Sequence, residues 1–273
     1  MSATRPFVVK LGGALLDDGE AFCAISNALA AMHQARPGSV VVVHGGGSAV
    51  DRHLARLGFE TRKRAGIRIT PPDQMTAIAS VLGGTVNQQI VGALLGRGID
   101  AVGLDLGDGH TTVAEGLTGL DFDPGCVGAI ARGTPRLLET LLGGGFLPVL
   151  SSVGFDAEGG LLNVNADDAA AGIAKMLGAA ALVYLTDVPG VLGADGSVCQ
   201  ELDAAAIDSL IAAGTITGGM IPKVRGALAT AQTVGTPVII ASWRDPSALG
   251  DLAAGLRTGT CIVGAALTTP ASS

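Results

Sequence analysis

Short, unbroken apolar runs rich in valine and isoleucine recur along the chain: Phe7–Val9, Val40–Val43, Ala101–Leu104, Leu147–Leu150, Ala181–Leu185 and Pro237–Ile240. A strand buried on both faces reads as a continuous apolar run, because neither face meets water. Helical spacing fills most of the intervals, at Ala21–Gln34, Ser48–Leu57, Asp73–Gly92, Asp167–Leu177, Ala205–Ala213 and Lys223–Val234. Strands alternating with helices predict an α/β fold whose parallel sheet is covered on both faces. With 273 residues, the chain makes one large domain or two fused lobes.

Two segments break the alternation. Val149–Val164 reads as strand, turn and strand, and so predicts a β-hairpin. Gly107–Gly133 is irregular and glycine-rich. A soft division falls near residue 178, with no linker, so the expectation is two lobes sharing one sheet: 1–177 and 178–273.

Composition removes several function classes. A 48% hydrophobic chain with 15% charged residues can build a core and is not disordered. A net charge of −7 lacks the basic footprint of nonspecific nucleic-acid binding. The opening MSATRPFVVK has no apolar signal core, and no run approaches about 18 consecutive apolar residues. The expectation is a cytoplasmic protein with no membrane partner. Cys23, Cys126, Cys199 and Cys261 stand far apart with no CxxC pair, and read as reduced, mostly buried thiols.

The glycines point to chemistry. Strand Phe7–Val9 runs into Lys10, Leu11, Gly12 and Gly13, and strand Val40–Val43 into His44, Gly45, Gly46 and Gly47 ahead of a helix. Ligands of open parallel sheets bind beyond the carboxyl ends of the strands. Glycines there let backbone N–H groups approach an anion, and the helix that follows adds its positive end. Two such loops predict a phosphate or carboxylate site. Neither GxxxxGK[ST] nor GxGxxG is present, since Val50 stands at the last glycine position.

The chain has four lysines, Lys10, Lys63, Lys175 and Lys223. Lys223 follows Gly218, Gly219 and Pro222 at a helix start, where a cation opposes the helix dipole and calls for an anion. A solvated surface lysine is the alternative. Asn165 suits a helix cap with Asp167 and Asp168 in the first turn, which leaves Asn163, on an apolar strand, unexplained. His44 reads as structural, with a ring nitrogen on backbone beside the glycine loop, rather than catalytic. Asp105, Asp108 and His110 read as a polar loop rather than metal ligands, and Trp243 as packing.

In order, Lys10-Leu-Gly-Gly, His44-Gly-Gly-Gly, Gly66-Ile-Arg68-Ile-Thr70, Asn163-Val-Asn-Ala-Asp167, Asp187-Val-Pro-Gly190 and Gly219-Met-Ile-Pro-Lys223 resemble the acetylglutamate kinases of the amino-acid kinase family. Ile240-Ala-Ser-Trp243 and Gly259-Thr260 fit the same pattern, and the resemblance spans residues 7–263. It implies a three-layer αβα sandwich around a mainly parallel open sheet. It also implies ATP-dependent phosphorylation of the side-chain carboxylate of N-acetyl-L-glutamate, in arginine biosynthesis. Lobe 1–177 would bind acetylglutamate and dimerise, and lobe 178–273 would bind ATP. Carried over by position, Lys10 and Lys223 flank the transferred group and Asp167 organises both. Gly46, Gly47, Arg68 and Asn163 bind the acyl substrate. Gly12, Gly13, Asp187, Val188, Pro189, Gly190, Val191, Leu192, Thr215, Ile216 and Thr217 serve the nucleotide. Mg²⁺ arrives with ATP, with no protein metal site. Only Met1–Pro6 precede the first strand, so the implied assembly is an arginine-insensitive homodimer. Rival readings are a kinase for aminoadipate or glutamate on a carrier protein, and an inactive small-molecule sensor.

Overall fold

The structure, a computed structural model, describes residues 5–264. Its strands are β1 (Phe7–Leu11), β2 (Val40–His44), β3 (Arg62–Arg64), β4 (Ile67–Ile69), β5 (Ala101–Leu104), β6 (Thr112–Gly116), β7 (Val127–Gly133), β8 (Leu147–Ser151), β9 (Val153–Phe155), β10 (Leu161–Val164), β11 (Ala181–Thr186), β12 (Glu201–Leu202), β13 (Val238–Ser242) and β14 (Thr260–Ile262). Its α-helices are α1 (Gly13–Asp17), α2 (Gly19–Ala35), α3 (Gly47–Arg56), α4 (Pro72–Ala79), α5 (Asn87–Leu95), α6 (Arg136–Gly143), α7 (Ala166–Met176), α8 (Ala204–Ala212), α9 (Met220–Val234) and α10 (Ser247–Ala253).

Among the described residues, eight strands form the main sheet in the order β12-β14-β13-β11-β1-β2-β8-β5. All neighbours run parallel except β13 and β14. Side chains of β1 alternate between two cores. Phe7, Val9 and Leu11 join α2, α4, α5 and α10, and Val8 joins α7, α8 and α9. The three-layer sandwich follows from this division. Val40, Val41, Val42 and Val43 are each fully buried, worth roughly 1.5–3 kcal/mol apiece over exposure. That is why β2, with no polar alternation, sits in the middle of the sheet.

From β1 the chain first builds outward through β2, β5 and β8, then returns to the other side of β1 through β11 and β13. The carboxyl ends of β1 and β11 thus mark the switch point, where adjacent loops diverge and leave a crevice. One sheet runs unbroken across residue 178, through the β1–β11 pairing.

Several expectations need correcting. The segment 107–133 is half strand: β6 and β7 pair antiparallel in a four-stranded sheet, β6-β7-β10-β9. The bulge at Val113/Ala114 and the glycines at both strand ends hid their period. The hairpin is β9–β10 alone, because Val149–Ser151 belongs to the main sheet. The helix read at 73–92 is α4 and α5 joined through a π-helical turn, Ser80–Val86. An 18-residue window of this 24-residue stretch has a mean hydropathy of 1.3 and meets the length and composition of a bilayer span, although it is no unbroken apolar run. Met75, Ile78, Leu82, Ile90 and Leu94 instead pack it into the core. The cysteines are less buried than expected: Cys23 is exposed and the others are partly covered.

Candidate active site

Lys10 lies one residue from the end of β1, level with Tyr184 on β11 and Val43 on β2. Its ammonium stands 2.9 Å from Asp167, in the first turn of α7. Asn165 caps that helix, its side chain accepting from the N–H groups of Asp167 (2.8 Å) and Asp168 (3.4 Å). The cap fixes where the first turn begins and so where Asp167 points. Lys223, in the first turn of α9, is paired with Asp187 at 3.1 Å. The Lys223 hydrogen bond, more than any other influence, holds the Asp187 carboxyl below its usual range. Asp167 thus pairs with Lys10, and Lys223 pairs with Asp187 where the expectation was Asp167 for both. Asp187 follows β11 directly and is the carboxylate that Lys223 meets.

Lys10, Asp167 and Lys223 line one cavity of about 1160 Å³ between α7, α9 and β11. Gly46, Gly47, Arg68 and Asn163 line a second, of about 320 Å³. Asn165 and Asp168 border both, so the two meet at the start of α7. Arg68 is held by an ion pair with Asp51 and donates to the Gly47 carbonyl at 3.0 Å. Lys63 shares Asp51 at 3.0 Å. Burial resists ionisation of Asp51, but the hydrogen bonds from Arg68 and Lys63 outweigh it and keep the carboxyl below its normal value. Asn163 donates to Thr70 Oγ1 at 3.0 Å, which ties β10 to the residue that follows β4.

The glycines bring these parts close. A Cβ on Gly12 would lie 3.8 Å from the Lys10 ammonium, and one on Gly13 would come 3.2 Å from Ser48 Oγ and 3.6 Å from the Gly47 nitrogen. Gly12 and Gly13 thus stand between Lys10 and the start of α3. Asp187–Leu192 and Thr215–Thr217 border neither cavity. Val191 and Ile216 are buried in the core, and the Val191 N–H is taken by Thr260 Oγ1 at 2.8 Å. Gly190, at φ 150°, admits no side chain, since a Cβ would meet Thr260 Oγ1 at 2.6 Å. That loop reaches the large cavity through the Asp187–Lys223 pair and through Thr186, which lines the cavity and bonds to the backbone of Val188 at 3.3 Å.

His44 is fully buried, and its Nδ1 bonds to the Gly45 carbonyl at 2.8 Å, the expected backbone contact beside the glycine loop. Trp243 packs in the core, beneath the Arg244 guanidinium. Asp105 accepts from Ser151 Oγ, and Asp108 accepts from the Asp105 N–H. Asp51 and Asn87 escaped the sequence reading. Asp51 lies four residues after Gly47 on α3, hence on the same helix face, and that spacing was a usable signal.

The model of the amino acid kinase family matches residues 5–242. An acetylglutamate kinase of Pectobacterium atrosepticum is 45% identical over 259 residues, which cover 95% of this chain and 99% of the relative. An acetylglutamate kinase of Aeromonas salmonicida is 45% identical over 256 residues, covering 94% and 97%. Among solved structures, the N-acetylglutamate synthase of Neisseria gonorrhoeae, complexed with coenzyme A and N-acetyl-glutamate, superposes with a TM-score of 0.78 at 25% identity. The match covers 96% of this chain and 60% of that one.

Proposed function

Because the chain belongs to the amino acid kinase family, we propose that it transfers the γ-phosphoryl group of ATP to the side-chain carboxylate of N-acetyl-L-glutamate, a step of arginine biosynthesis. The observation that carries this is the meeting of two cavities at the start of α7, one bearing Lys10 and Lys223 among its three lysines and the other a braced arginine. The near full-length likeness to acetylglutamate kinases supports the choice of acceptor.

The acceptor carboxylate has an ordinary pKa near about 4.3 and is ionised at neutral pH, so no general base is required. The obstacle is repulsion between a carboxylate and a polyanionic phosphate chain. Catalysis then rests on positioning and charge. In this reading Arg68 and Asn163 hold the acyl substrate in the smaller cavity. Lys10 draws on the phosphoryl group from the acceptor side, steadied by Asp167. Lys223 draws from the leaving side, at the N-terminus of α9. Backbone N–H groups of Gly12, Gly13, Gly46 and Gly47 line the path between. The lobe beyond residue 177 holds the nucleotide, by way of Asp187–Leu192 and Thr215–Thr217.

Among the described residues, no three His, Cys, Asp or Glu side chains converge as a metal cage. Asp167 and Asp187 are each engaged by a lysine. In the same reading a Mg²⁺ would arrive with ATP and would supply further positive charge beside the phosphates. A homodimer and a cytoplasmic location belong to the same reading.

Two variants test the roles. Lys223→Ala lowers kcat by about 10²–10³-fold with little change in the KM for N-acetyl-L-glutamate. Arg68→Ala chiefly raises that KM. Steady-state kinetics near wild type for both would overturn the assignment.

A further inference from the structure

Behind the Gly45–Gly47 loop lies a polar cluster that the proposed chemistry does not use. His44 is 0% exposed and Asn87 1% exposed. Asn87 Nδ2 donates to His44 Nε2 at 3.1 Å and to the Val149 carbonyl at 2.9 Å. A carbonyl accepts only, so the nitrogen end of the Asn87 amide must face Val149 and, with it, His44. Nε2 is then the acceptor, and the His44 proton sits on Nδ1, donated to the Gly45 carbonyl. Burial keeps the ring neutral, with its pKa pushed down to about 4.

The oxygen of the same amide, Asn87 Oδ1, is buried without a partner. It lies against Gly103, where a Cβ would come within 2.1 Å. An unpaired buried carbonyl is costly, and an apolar side chain would spare that cost. Asn87 also follows directly on the π-helical turn, a distortion that recurs at functional sites. From that turn Leu82 and Val86 press on Gly46, where a Cβ would meet Leu82 Cδ2 at 3.0 Å.

The cluster grips one end of a single peptide group. In a trans peptide the C=O and the following N–H point in opposite directions, and the described chain has no cis peptide. With the Gly45 carbonyl drawn inward to His44, the Gly46 N–H is turned outward. It has no hydrogen-bond acceptor among the described residues, and Gly46 lines the cavity of Arg68 and Asn163.

We propose that His44 and Asn87 are positioning residues for phosphoryl transfer, orienting the Gly46 N–H through the Gly45 carbonyl as a fixed donor to the group in flight. This rests on the kinase reading above. A donor set in advance, where charge develops, acts on the transition state and not on ground-state binding.

The test compares His44→Asn with His44→Gln. The shorter amide can place an N–H where Nδ1 stands, and the longer one only near Nε2. Steady-state kinetics with Mg·ATP and N-acetyl-L-glutamate are joined by binding of a Mg·ADP–aluminium fluoride complex in the presence of the acid. His44→Gln is expected to lose about 10²-fold in kcat, with both KM values within about threefold of wild type. Its aluminium fluoride affinity falls in step, and His44→Asn recovers most of both. If His44→Gln does not fold, Asn87→Ala serves, with a kcat loss of about tenfold at unchanged KM. Wild-type kcat in folded His44→Gln or Asn87→Ala, or His44→Asn as impaired as His44→Gln, would overturn the positioning role alone. An inactive wild-type enzyme would instead overturn the kinase reading, and the proposal with it.

Discussion

Arg68 is fixed from two directions, by the Asp51 carboxylate and by the Gly47 carbonyl, and the rest of its five-donor fork is left for a ligand. An arginine held this way presents a planar pair of donors to a carboxylate with little ordering left to do at binding. Asp51→Asn is therefore expected to raise the KM for N-acetyl-L-glutamate by about tenfold with kcat nearly unchanged, as steady-state kinetics would show. His44 carries a pH signature. Its pKa falls from 6.5 to about 4 on folding, because burial disfavours the charged ring. Above pH 6.5 neither state binds the proton, and the site imposes no pH dependence. Between 6.5 and about 4 the unfolded chain takes up a proton that folded His44 refuses, so stability drops as the pH falls. The loss is complete below about 4 and amounts to about 3 kcal/mol. Thermal melts across this range should show a shallower decline for His44→Gln than for wild type; equal slopes would contradict the assignment. At this scale the sequence was most legible where a residue was chemically out of place. Lys10 ends an apolar strand, and Asn163 interrupts one. Asp51 and Asn87 sit on helices where polar residues are ordinary, and only tertiary contacts reveal their partners.

The π-helical turn between α4 and α5 is the least regular element and the one with the clearest packing reason. Gly83 faces the Asp105 carboxylate, where a Cβ would come 2.6 Å from Oδ1, whereas nothing lies within 4 Å of Gly84. The Ser151 hydroxyl holds Asp105 in place. Gly83→Ala is expected to cost about 1–3 kcal/mol by overpacking. Gly84→Ala is expected to be neutral or to gain up to about 1 kcal/mol from helix propensity. Denaturant midpoints of the two variants check this, and equal effects would contradict it. The element showed in the sequence as one apolar helix, since Ile78, Val81, Leu82 and Val86 keep the spacing of an α-helical face across the turn. β6 and β7 were harder to see. They pair with each other across a bulge, and the short sheet they join is set by tertiary contacts rather than by their own period.

In the whole molecule, the order of the sheet does most to make the site. Because β1 is flanked by β2 on one side and β11 on the other, Lys10 stands where the loops of the two halves part. The alternation of apolar strands and helices was enough to foresee that sheet. The assembly was not legible in this way, since surface composition carries no register. Static light scattering is expected to give the mass of a dimer of this 27.0 kDa chain; a monomer or a hexamer would contradict the proposed homodimer. The pairing of Lys223 with Asp187 rather than Asp167 was also beyond the sequence, because it depends on how α9 faces the loop after β11. The central claim is that one cavity supplies a phosphoryl group to a carboxylate held in the other. It is tested most directly by following ADP release from Mg·ATP with N-acetyl-L-glutamate, glutamate, aspartate and N-acetylaminoadipate in turn, with hydroxylamine present to trap an acyl phosphate. The account predicts ADP and hydroxamate in equal amounts with N-acetyl-L-glutamate and neither with the other acids; ADP release without hydroxamate, or no turnover with N-acetyl-L-glutamate, would contradict it.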